Sequence, residues 1–143
     1  MIALAEDHAA AIREHGRQAY PEECCGALLG HEEEGDLVVE AVRAIDNVRE
    51  DERRRRFLVD PKDYLAVERE ARLQGLTVLG FYHSHPDHPA KPSEFDRLHA
   101  WPNLSYLIVS VAEGAPEEMT CWRLSDDRAA MLPLAITSPR RAS

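Results

Sequence analysis

Leu76-Thr77-Val78-Leu79-Gly80-Phe81-Tyr82 is an almost unbroken apolar run, and it leads directly into His83-Ser84-His85-Pro86. A short run of this kind, without polar alternation, reads as a strand covered on both faces. Such a strand belongs in the middle of a sheet flanked by helices. Its surroundings agree. Upstream, Asp60-Pro61-Lys62-Asp63 opens a helix, with Asp60 as N-cap and Pro61 at the first helical position. Tyr64, Leu65, Val67, Ala71 and Leu73 are its expected buried stripe, and Gly75 its stop. Downstream, past a loop rich in proline and histidine, Ser93-Glu94-Phe95-Asp96 opens another helix.

Towards the N-terminus, Glu6 to Gln18 has helical composition and a weak apolar face of Ala10, Ile12 and Ala19, and Tyr20-Pro21 ends it. Cys24-Cys25-Gly26-Ala27-Leu28-Leu29-Gly30 reads as a buried strand, Glu32 to Asp36 as a solvated turn, and Leu37 to Ile45 as the next strand. Asn47 to Arg56 reads as an exposed loop leading to a short strand at Phe57-Leu58-Val59. Further strands are expected at Ser105 to Val111, Met119 to Leu124 and Ala130 to Ile136. The order predicts an α/β fold, a three-layer α/β/α sandwich around a mixed central β-sheet. It forms one domain over residues 1–137 with a loose tail at 138–143.

The chain has 143 residues, which argues for a single domain. Hydrophobic residues at 44% and charged residues at 30% are ordinary for a globular protein and set aside wholesale disorder. The net charge of −9 makes a nucleic-acid partner a poor expectation, because backbone binding needs a basic surface. The apolar runs fall far short of the ~20 residues of a membrane span, and the N-terminus lacks the basic start and apolar run of a signal peptide. A cytoplasmic location is expected, with no membrane partner, as a monomer or a homodimer. Cys24, Cys25 and Cys121 fit that compartment as small buried hydrophobes; an odd count without a Cys-x-x-Cys pair supports neither a disulfide framework nor a thiolate zinc site. A catalytic thiol would require a lowered pKa.

His83 and His85 are two apart, so on an extended chain both imidazoles face one side and can reach one ion. A catalytic zinc keeps three protein ligands and one open position, so the pair needs a third donor. Asp96, eleven residues after His85 near a helix start, can return a carboxylate to the strand end. The plain alternative makes the histidines polar residues at a sheet edge and Ser93-x-x-Asp96 a cap with an acid in the first turn. Cap and ligand roles use different atoms and are compatible.

These residues and their spacing resemble the His-x-His-x7-Ser-x2-Asp signature of the JAMM (MPN+) zinc metalloproteases, down to the proline after the second histidine. Tyr20-Pro21-Glu22-Glu23-Cys24-Cys25-Gly26-Ala27-Leu28-Leu29-Gly30 is similar to the family segment that carries its catalytic glutamate ahead of a Gly-x-Leu-x-Gly-like strand. The resemblance implies a cytidine-deaminase-like JAMM/MPN fold, one catalytic zinc held by His83, His85 and Asp96 with water as the fourth ligand, Glu23 as acid/base, and Ser93 as hydrogen-bond donor to the developing oxyanion. Glu22 is the second candidate for the acid/base, and strand alternation allows only one of the two to face the metal. The resemblance also implies a metallopeptidase or isopeptidase acting at the C-terminus of a ubiquitin-like protein. The short bacterial branch resembles enzymes that release cysteine from a sulfur-carrier protein, in cysteine biosynthesis. The alternative is a non-catalytic MPN-type interaction scaffold, although every ligand position is filled here. A zinc deaminase would need a Pro-Cys-x-x-Cys segment, which the sequence lacks.

Three further features have competing readings. His88 or Asp87 could add a ligand, but Pro86 and Pro89 place them in an exposed loop. His8, His15, His31 and His99 have no partner at ligand spacing and read as solvent-facing or cap residues. Arg53 to Arg56, next to Glu50, Asp51 and Glu52, read as a solvated charge run or as a contact for substrate carboxylates.

Overall fold

A computed structural model describes residues 1–45 and 60–138. The loop at 47–56, the strand expected at Phe57 to Val59, the arginines 53–56 and most of the expected tail lie outside the described residues. In chain order the elements are β1 (Ile2–Ala3), α1 (Glu6–Ala19), β2 (Cys25–Glu33), β3 (Asp36–Ile45), α2 (Pro61–Leu73), β4 (Thr77–Pro86), α3 (Glu94–His99), β5 (Ser105–Ala112), β6 (Ala115–Leu124), β7 (Met131–Leu134) and β8 (Ile136–Thr137).

The strands form one mixed sheet in the order β7-β6-β5-β4-β2-β3-β1-β8. The strand carrying Phe81 is central, as its apolar run predicts: β4 runs antiparallel to β2 and parallel to β5, and every residue from Leu79 to Pro86 is buried. It stays extended through both histidines. The stretch expected as one strand from Ala130 is two instead. β7 and β8 flank Ala135 and pair with opposite ends of the sheet, β7 with β6 and β8 with β1. The sheet therefore curls until one stretch of chain serves both edges, the usual consequence of twist carried over many strands.

Alternation along the strands feeds two cores on opposite faces. On one, Ala9 and Ile12 of α1 meet Leu28, Val39, Leu79, Tyr82, Leu107 and Val109. On the other, Val67 and Ala71 of α2 meet Cys25, Ala27, Leu29, Phe81 and Tyr106. Truncating fully buried Phe81 to alanine should cost about 3–5 kcal/mol.

Two stripes differ from expectation. In α1 the buried small residue is Ala9, while Ala10 is exposed, so the face is Ala9, Ile12 and Gly16. In α2, Leu65 and Leu73 are 63% and 83% exposed; the i, i+3, i+7 set Tyr64, Val67 and Ala71 takes the core side and turns both leucines outward. The acidic turn is also tighter than expected. Strand pairing runs to Glu33–Asp36, leaving Glu34 (φ 53°) and Gly35 (φ 86°) as a two-residue hairpin loop with both central residues left-handed. No helix among the described residues is long and apolar enough to cross a membrane.

Candidate metal centre and active site

Tyr82 and Ser84 point to the α1 side of β4: Tyr82 belongs to that core, and the Ser84 Cβ lies 3.6 Å from where a side chain on Gly16 would begin. His83 and His85 therefore share the opposite face with Phe81. Their Nε2 atoms are 3.2 Å apart. The return through α3 brings Asp96 to both, with Oδ1 3.4 Å from His83 Nε2 and Oδ2 3.2 Å from His85 Nε2. His83 and Asp96 are almost sealed from solvent, with side-chain exposures of 2% and 9%.

A capping box presents Asp96. Ser93 Oγ accepts from the Asp96 N–H at 3.0 Å, and Asp96 Oδ2 accepts from the Ser93 N–H at 2.8 Å. Cap and site use are thus combined in one carboxylate, and the Ser93 hydroxyl, accepting in the cap, retains its own hydrogen for donation.

Glu23 reaches the same face by register. The Cys24 N–H donates to Ser84 Oγ at 2.8 Å and Cys24 O accepts from the Ser84 N–H at 3.1 Å, which ties residue 24 to the α1 side. Its neighbours Glu23 and Cys25 turn the other way, and Cys25 pairs with His83. Glu23 is 3% exposed, and one of its carboxylate oxygens lies within 4.8 Å of ring nitrogens of both His83 and His85. Glu22, the other candidate, is half-buried and lies outside this group.

The two carboxyl groups have opposite electrostatics. Burial, reinforced by the charge of Asp96, pushes Glu23 up to about 9. Burial also works to raise Asp96, but hydrogen bonds from His83 and His85, attraction to His83 and the Ser93 N–H outweigh it and hold Asp96 well below the usual carboxylate range. Burial lowers the pKa of His83 and so favours its neutral ring. His85 Nδ1 lies 2.9 Å from Pro89 O. A carbonyl only accepts, so Nδ1 carries a hydrogen and Nε2 is the nitrogen turned toward Asp96.

This donor set fits a zinc ion. Two imidazoles and an ionised carboxylate are the ligand types of a three-residue catalytic site, and the 3.2 Å between the two Nε2 atoms is close to the ~3.3–3.4 Å edge of a tetrahedron with bonds of about 2.0–2.1 Å; Asp96 faces the two rings through different oxygens, Oδ1 and Oδ2. Glu23, His83 and His85 form an alternative set, with ligand atoms within 4.8 Å of one another. Asp96, held ionised, offers an oxygen to an ion, and the buried Glu23 carboxyl lies beside it.

The remaining sequence candidates fall elsewhere. His88 lines the adjoining cleft in an exposed loop; Asp87 bonds the Tyr20 hydroxyl and the Glu113 N–H, at 2.7 and 2.8 Å, away from the ligand nitrogens. His15 corrects the solvent-facing expectation: it is half-buried, 2.7 Å from the Tyr82 hydroxyl, a contact that needs tertiary proximity across 67 residues. The Tyr82 ring leaves room only for glycine at position 26, where a Cβ would come within 2.1 Å of it. All three cysteines are buried, and none forms a disulfide among the described residues. Burial pushes Cys24 up to about 11 and Cys121 up to about 12, which removes both from nucleophilic roles.

The family described as prokaryotic homologs of the JAB domain matches residues 5–125. The chain is 34% identical over 114 residues to the Desampylase of Haloferax volcanii, covering 76% of this chain and 80% of that one. A solution structure of a protein from Salinibacter ruber is 45% identical, with a TM-score of 0.77 over 97% of this chain and 92% of that chain. The structure described as a metalloprotease-like zinc site in the proteasome and signalosome shares the fold at 16% identity, with a TM-score of 0.56 over 96% of this chain and 99% of that one.

Proposed function

The chain belongs to the prokaryotic JAB-domain family, and we propose that it is a cytoplasmic zinc metallopeptidase that hydrolyses an amide bond at the C-terminus of a ubiquitin-like sulfur-carrier protein and releases cysteine. The observation that carries this reading is the buried group of His83, His85 and Asp96 with Glu23 beside it. The likeness to the Desampylase supports the substrate class. The layering, with α1 and α2 on opposite faces of the sheet, supports the sandwich form of the fold.

His83, His85 and Asp96 would hold the ion. Bound zinc lowers the pKa of water toward ~7 and polarises the scissile carbonyl. In its ionised form, which the charge of a bound ion would favour against the burial that raises its pKa, Glu23 takes the proton from the attacking water and delivers it to the departing amine. Ser93 lines the cleft with Glu23 and His85, and its free hydroxyl hydrogen donates to the oxyanion. Glu23 and Asp96 divide the work between proton transfer and ligation.

The test combines metal analysis with cleavage of a carrier protein ending in Gly-Gly-Cys. Purified protein should contain about one zinc per chain, release cysteine from the carrier, lose activity to a chelator and regain it with zinc. Release of cysteine unaffected by complete zinc removal would refute the proposal.

A further inference from the structure

The cleft beside the metal centre has a volume of about 270 Å³ and is lined by Glu23, His85, Pro86, His88, Pro89, Lys91 and Ser93. That is below the ~300–1,000 Å³ of sites for drug-sized ligands, so it suits a group the size of one amino-acid residue. Its electrostatics are mixed. Glu23 and nearby Asp96 bring carboxyl groups to one wall, and among the lining residues Lys91 supplies a fixed ammonium.

The backbone couples Lys91 to the ligand set. The Pro89 carbonyl takes both the Lys91 N–H, at 2.8 Å, and the His85 Nδ1–H, at 2.9 Å. Between them Ala90 is fully buried, and its carbonyl accepts from the Thr120 hydroxyl. The exposed lysine stem thus rises from an anchored loop at a fixed distance from the ligand histidine.

Resting on the peptidase reading above, we infer that Lys91 is a specificity-determining residue that binds the α-carboxylate of a leaving amino acid. The chemistry of the two leaving-group classes separates them. In a C-terminal amino acid the carboxylate carbon is two bonds, about 2.5 Å, from the scissile nitrogen, so it must enter this cleft with the nitrogen. There Lys91 is the one lysine or arginine among the lining residues, and its ammonium can pair with that carboxylate. An isopeptide-linked lysine offers only a methylene stem at that distance and its own backbone carbonyl farther out, with no charge for Lys91 to recognise. The lysine therefore favours release of a free amino acid over removal of a modifier from a protein lysine.

The test uses a carrier protein ending in Gly-Gly-Cys, made once with a free C-terminal acid and once as the carboxamide, with zinc-loaded enzyme. Wild type should prefer the acid by about 10-fold in kcat/KM, the effect of one charge-assisted contact. Lys91→Met should bring the ratio to about one by slowing only the acid, with zinc content and amide cleavage unchanged, and Lys91→Arg should retain most of the preference. A ratio that Lys91→Met leaves intact overturns the role of Lys91 alone. Cleavage of neither carrier by wild type overturns the peptidase reading together with it.

Discussion

At the end of β4, His83 and His85 lie 3.2–3.4 Å from Asp96; on the β2–β3 hairpin, His31 lies 3.4 Å from Glu33 and 3.7 Å from Glu40. The residue types are the same, but the surroundings are not. The hairpin side chains are 45–68% exposed, and those of His83, His85 and Asp96 2–10%. Exposed partners share their donors and acceptors with water and hold no fixed geometry. At the candidate metal centre each group is fixed from behind: Pro89 O orients His85, the α3 capping box orients Asp96, and the Cys24–Ser84 pair sets the register of Glu23. Burial raises the Glu23 carboxyl, while the histidine hydrogen bonds hold that of Asp96 down against the same burial. A set of ligand-type residues becomes a candidate metal centre when a second layer of contacts fixes it and water is excluded.

The comparison breaks most visibly at Asp96. Asp96→Asn keeps the size and part of the cap but removes the ionised oxygen, so zinc content should fall from about one per chain to near zero, with complete loss of cleavage; metal analysis by mass spectrometry checks it. A smaller effect follows from Glu23 in the metal-free protein. Its pKa is about 9 in the fold against 4.5 when unfolded, so between those values the native state keeps a proton that the unfolded state releases. Stability therefore falls as pH rises from 7 to 9, whereas Asp96, ionised in both states there, adds no slope. The fall in Tm should exceed about 2–4 °C, the shift for 1 kcal/mol in a chain near this size, and should shrink in Glu23→Gln. The smallest effect is at the hairpin: His31→Ala should leave zinc content unchanged and alter stability by less than about 1 kcal/mol, as measured by urea unfolding.

Much of the centre was legible because it obeys short-range periods. His83 and His85 share a face by the two-residue period of a strand, and Ser93-x-x-Asp96 is a cap readable from four residues. The limit of two acid/base candidates was also readable, since adjacent strand residues face opposite ways. Which one faces inward depends on the Cys24–Ser84 contact across 60 residues. Long-range features gave no such signal. β1 and β8 are two residues each, too short to show a period, so the closing of the sheet depends on pairing between chain ends. Leu65 and Leu73 are apolar by composition, but the neighbouring aromatic and small residues fit the sheet and leave both leucines outside. His15 gave no local sign of its bond to Tyr82.

The central claim is that this centre divides into a metal-holding set and a proton-transferring carboxyl. Glu23→Gln probes this division, because it preserves shape and removes only the carboxylate that takes and returns the proton. The account predicts about one zinc per chain in the purified variant and a fall in kcat of about 10²–10⁴-fold on a carrier protein ending in Gly-Gly-Cys. Wild-type-like cleavage by the zinc-loaded variant would contradict it.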